Sequence, residues 1–79
     1  MLHARKDYMR IQDPENKIPQ DEPVFLLRGQ DMFAPDLLLK WAARVRLNYG
    51  DPDMARMVED HAQLMIEWQQ NHISKIPDL

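Results

Sequence analysis

The chain has 79 residues, with ten basic against thirteen acidic side chains, a formal charge of −3 and no cysteine. That length allows one domain and buries only about 60% of the unfolded surface, so a staple is expected. Disulfides and thiolate metal sites are excluded, His3, His61 and His72 are too scattered for a zinc site by spacing alone, and the acidic total argues against duplex nucleic acid, whose non-specific binding is phosphate neutralisation.

The staple that remains is a second copy of the chain, so a homo-oligomer is the expected state. The first residues turn polar at once and offer no apolar run for a signal peptide. No stretch approaches the ~18 apolar residues of a membrane span. A cytoplasmic protein without membrane contact is the expectation. Arg5, Lys6 and Arg10 against Asp7 make the beginning locally basic.

Residues 1–34 read as an extended, proline-rich arm with at most one or two short strands. Tyr8 opens a stretch, 8–11, that fits an extended piece or a helical turn. Asp13-Pro14-Glu15-Asn16 is a turn, with proline in its preferred second position. Pro19 and Pro23 forbid a long helix between them. The apolar run 24–27 reads as a buried anchor, strand or coil, holding Arg28, Gln30 and Asp31 at an edge.

The remainder predicts a mainly α fold, an antiparallel two-helix hairpin within one small domain spanning 1–79. The first helix covers 35–49, with Pro35 at its first position and Asp36 in its first turn. Leu38, Trp41, Val45 and Asn48 follow one face, with Leu37, Ala42 and Tyr49 beside it. Gly50 suits a C-terminal cap. The second helix covers 51–72, capped by Asp51 with Pro52 as its first helical residue. Met54, Val58, His61, Met65 and Trp68 form a stripe facing a partner helix, flanked by Met57 and Leu64. Residues 73–79 read as a tail. Lys40, Arg44 and Arg46 make the first helix basic. Asp53, Glu59, Asp60 and Glu67 make the second acidic. These opposite signs orient pairing within the chain or across a dimer.

Arg10-Ile11-Gln12-Asp13 is echoed by Arg28-Gly29-Gln30-Asp31. Arginine supplies a planar fork for phosphate, glutamine can read the edge of a base, and aspartate can accept from an amine or orient the arginine. Tyr8 either stacks on a base or covers the hairpin's apolar face. The candidate ligand-binding set is therefore Tyr8, Arg10, Gln12, Arg28, Gln30 and Asp31. Turn formation by Asp13 and capping by Asp31 are competing uses of those two acids. His61 fits a packing role better than a catalytic one. Trp41, Trp68 and the methionines read as core or interface. No nucleophilic triad, glycine-rich loop or metal-ligand spacing is present, so no cofactor, metal or catalysis is expected.

The segments Asp7-Tyr8-Met9-Arg10-Ile11-Gln12-Asp13-Pro14, Ile18-Pro19 and 21–31 resemble small proteins encoded by bacteria and their phages. The likeness reaches Trp41, His61-Ala62, Trp68-Gln69 and Pro77-Asp78 more weakly. It implies a phage or prophage accessory protein of the host cytoplasm that blunts host immunity. Two modes follow. One is an oligomeric sponge for a small nucleotide signal such as a cyclic oligonucleotide, with Arg10 and Arg28 on phosphates. The other is an inhibitor or adaptor of a host protein, anti-CRISPR-like, acting through the acidic helical surface. A structural subunit of a larger complex is the third possibility.

Overall fold

The computed structural model describes residues 1–78. Two helices dominate it, α1 (Ala34–Leu47) and α2 (Pro52–Asn71), and they pack as a hairpin behind an N-terminal arm. The expected mainly α hairpin is therefore present. The boundaries shift by one or two residues.

α1 begins one residue early, which moves Pro35 to the second helical position. Its missing N–H still falls among the first-turn donors that lack an intrahelical partner. Asp31 prepares this start. Its Oδ1 accepts from the Phe33 N–H at 2.8 Å, and its carbonyl accepts from the Ala34 N–H at 3.1 Å. α1 stops at Leu47 because the chain turns left-handed at Tyr49, with φ 58°. The Tyr49 N–H then donates to the Arg46 carbonyl at 3.2 Å, and the Gly50 N–H donates to the Val45 carbonyl at 2.8 Å. This is the paired bonding of a Schellman cap. The left-handed residue is thus Tyr49, not Gly50. Gly50 is required for another reason: a Cβ there would stand 2.6 Å from Val45 Cγ1 and 2.9 Å from its carbonyl oxygen. α2 starts as expected, with the Asp51 side chain accepting from the Asp53 N–H at 2.9 Å and Pro52 first.

The seam between the helices differs from the expected stripe. Its buried residues are Ala34, Ala42, Ala55, Ala62 and Met65, together with Pro35. Small side chains let two helix backbones come close, so the alanines, not the tryptophans, take the contact. Trp41 and Trp68 remain 45% and 41% exposed. Met54, His61 and Leu64 are exposed with them. Across the seam, Arg46 holds Glu59 through Nη2 at 2.6 Å and Nε at 3.2 Å. This bond lowers the Glu59 pKa and raises that of Arg46.

The arm carries two short strands, β1 (Leu2–His3) and β2 (Pro23–Val24), paired in parallel with Leu2 opposite Pro23. Between them lie one 3-10 turn (Lys6–Tyr8) and the 13–16 turn. Of the two forms expected near Tyr8, the helical turn is the one formed. Asp13 organises its turn by accepting from the Lys17 and Ile18 N–H groups, both at 2.9 Å. The 24–27 run is not the buried anchor expected. Val24, Leu26 and Leu27 are half-buried and Phe25 is 66% exposed, because a two-stranded edge covers neither face fully.

Nor is the C-terminal segment a free tail. The Lys75 N–H donates to the Gln30 carbonyl at 2.9 Å, and the Lys75 carbonyl accepts from the Met32 N–H at 3.0 Å. This parallel bridge pins residue 75 beside Asp31. Leu79 lies outside the described residues.

Candidate functional site

One groove lies between the arm and the C-terminal segment. Its volume is about 560 Å³. Arg28, Gln30 and Asp31 line it, and their loop is held by α2. Gln69 Nε2 donates to the Gly29 carbonyl at 2.8 Å and to the Asp31 carbonyl at 3.0 Å. Gly29 also packs on the helix: a Cβ there would lie 3.9 Å from Trp68 Cε3. Lys75 holds the same loop from the far side. A polar loop is rigid only when its backbone groups are paired in this way.

Four of the six residues singled out in the sequence line the groove: Tyr8, Arg28, Gln30 and Asp31. Arg10 and Gln12 do not. They are exposed beside the 13–16 turn, and Asp13 is engaged in that turn. The echo thus has two different fates. Asp31 spends one carboxylate oxygen on the Phe33 N–H. Among the described residues, Arg28 makes no ion pair and the Gln30 amide makes no hydrogen bond.

Sequence reasoning missed Arg5, Phe25, Lys75 and Asp78. Arg5 is bidentate to Asp7, with Nε at 2.9 Å from Oδ1 and Nη2 at 2.7 Å from Oδ2. Its Nη1 donates to the Asp78 carbonyl at 2.8 Å, closing the arm onto the C-terminal segment. Its guanidinium lies 4.7 Å from the Tyr8 ring centre, which is cation–π range. Tyr8 meets Phe25 edge to face at 6.4 Å. Lys75 Nζ holds Asp78 Oδ1 at 2.9 Å. The hydrogen bond from Arg5 lowers the Asp7 pKa, and that from Lys75 lowers the Asp78 pKa. The basic start signalled Arg5 and the apolar run signalled Phe25. Lys75 and Asp78 gave no local signal.

The groove therefore combines the exposed Phe25 ring, a free amide and three cations, of which Arg5 and Lys75 are paired with Asp7 and Asp78, beside the carboxylates of Asp31 and Asp78. Such a set can stack a planar ring and neutralise an anionic group beside it. Among the described residues, no cluster of three His, Asp or Glu side chains is arranged to hold a metal ion. Among the described residues, no helix is long and apolar enough to cross a membrane. A second, shallower hollow of about 340 Å³ lies on the α2 side of the same loop, against His61, Leu64 and Trp68. Arg28 and Gln30 line both hollows. Comparison with known protein families, curated proteins and solved structures gives no match.

Proposed function

We propose that this protein is a non-enzymatic binder that sequesters a small nucleotide signal in the groove, acting as a homo-oligomer. The observation that carries this reading is the meeting of Phe25 and Tyr8 with Arg28, Lys75 and Gln30 around one hollow. In this reading a base stacks on Phe25, the Arg28 fork takes a phosphate, and Gln30 reads the base edge. Arg10 and Gln12 stand outside the groove, so this reading gives them no contact with the ligand. The likeness to phage-encoded accessory proteins supplies the setting, counter-defence in a host cytoplasm. Two tests bear on it. Small molecules released from purified protein by heating are identified by mass spectrometry. Isothermal titration then covers a panel of cyclic di- and trinucleotides. Saturable heat from one of them supports the reading, and no heat from any of them ends it.

The alternative is an acidic helical surface that plugs a basic groove on a host protein. It has less to work with, since Glu59 is held by Arg46 and Asp51 caps its own helix. What favours it is the row Asp53, Asp60 and Glu67, all exposed and spaced every seven residues. Capture of one stoichiometric host partner, lost on Asp60→Lys with Glu67→Lys and kept on Arg28→Ala, would replace the nucleotide reading.

A further inference from the structure

The chain exposes more surface than its mass allows for a self-contained fold. A folded monomer of 9.4 kDa is expected to expose about 5,000 Å². This chain exposes 6657 Å². The surplus, roughly 1,600 Å², is about twice the ~800 Å² that each partner contributes to a standard interface. Its shape agrees. The principal extents are 36 × 35 × 18 Å and the radius of gyration is 14.0 Å, against about 12 Å for a compact domain of this length. Domains are built from at least two packed layers. Here the two helices pack on each other, and neither strand forms a second layer against them.

The uncovered surface is ordered by sequence. On α2, Met57, His61, Leu64 and Trp68 recur at spacings of four and three, and all are exposed. That is a helical apolar stripe left largely open to solvent, with Trp68 packed near Gly29 and stacked on His72 at 4.0 Å. Along one flank run Asp53, Asp60 and Glu67. On α1, Leu37 and Trp41 are exposed with Lys40 and Arg44 on the same turns. Among the described residues, the only ion pair on that patch is the surface contact of Lys40 with Asp36 at 2.9 Å. In an antiparallel pair of helices, residues one step before each seam position fall on the same side of the hairpin. Trp41 precedes Ala42, and His61 and Leu64 precede Ala62 and Met65. Both patches therefore lie toward one face.

We propose that a second copy of this chain covers this face, laying its α1 patch (Leu37, Lys40, Trp41, Arg44) over the α2 stripe of the first. Two α2 stripes meeting antiparallel would set acid row against acid row. The α1 patch brings cations to it and adds its own tryptophan. The apolar area supplies the affinity, and the charges select the pairing. The covered stripe borders the Arg28–Gln30 loop, so the neighbour also walls the second hollow. The proposal develops the homo-oligomeric part of the functional reading and needs no ligand.

Sedimentation velocity of the full chain, without nucleotide, tests it. Wild type sediments as more than one chain at micromolar concentration. Leu64→Glu and Trp41→Glu, each checked for helix content by circular dichroism, sediment as monomers. Asp60→Lys/Glu67→Lys and Lys40→Glu/Arg44→Glu each weaken association by about tenfold or more, and an equimolar mixture of the two restores it. A wild type that stays a folded monomer at every concentration overturns the proposal. So does preferential pairing of Asp60→Lys/Glu67→Lys with wild type, because that pattern requires α2 on α2. Nucleotide titration of the same samples reads the groove separately, so loss of one property does not mimic loss of the other.

Discussion

The hairpin and the arm are held by different kinds of contact. The hairpin is punctuated by residues that act on their own neighbours: Asp51 on Asp53, Gly50 on Val45, Asp31 on Phe33 and Ala34. The arm's groove is held by residues far apart in the chain, with Gln69 reaching back to Gly29 and Lys75 to Gln30. Between them, the Arg10 and Arg28 tetrapeptides act as an internal control. They share three residue types. The one that α2 and the C-terminal segment clamp lines the groove, and the other does not. Composition supplied the same chemistry twice, and long-range backbone pairing selected which copy was placed.

Substitutions break this contrast in graded steps. Gly50→Ala strikes the hairpin, because the Cβ has to displace Val45 or its carbonyl. It costs about 2–3 kcal/mol in urea unfolding at fixed protein concentration. Gly29→Ala, where the new Cβ meets only ordinary contacts, stays within about 0.5 kcal/mol. Gln69→Leu strikes the arm. It leaves the Gly29 carbonyl without its partner, while the Asp31 carbonyl keeps the Ala34 N–H, and it costs about 1–2 kcal/mol. Hydrogen exchange accelerates at residues 30–33 while helix content by circular dichroism is kept. A drop in helix content would mean that the arm and hairpin are not separable. Tyr49→Gly moves the other way. It relieves a left-handed conformation at a side chain 97% exposed and adds about 0.5–1 kcal/mol.

The smallest effect is in pH. Glu59 is depressed by the Arg46 hydrogen bond, Asp7 by that of Arg5, and Asp78 by that of Lys75. Each folded pKa lies below its unfolded value, so the contribution is complete above about pH 4–4.5 and fades as pH falls through the folded value. Glu59→Gln flattens that part of the hairpin's stability profile. Asp7→Asn with Asp78→Asn flattens the arm's. An unchanged slope in either variant would show that these pairs carry no linked stability.

The hairpin was legible because its signals are local. Pro35, Asp51, Pro52 and the apolar spacing each act within a turn of helix. The seam was less legible, because hydrophobic spacing favours the largest side chains while close packing chose Ala42, Ala55 and Ala62. The left-handed Tyr49 was hidden for a related reason: Gly50, next in sequence, is the residue that normally takes that conformation. Four of the eleven residues lining the groove could be read from the Arg28 tetrapeptide and Tyr8. Lys75 and Asp78 could not be, since a parallel bridge across more than forty residues leaves no periodic trace. The Arg10 set misled because identical residue types carry no information about which loop the helix will clamp.

The two arginines give the most direct test of the site. Titrating the best nucleotide ligand into wild type, Arg28→Ala and Arg10→Ala should show Arg28→Ala weakened about tenfold or more and Arg10→Ala within about twofold of wild type. Binding that survives loss of Arg28 and fails with loss of Arg10 would contradict the placement of the ligand in this groove.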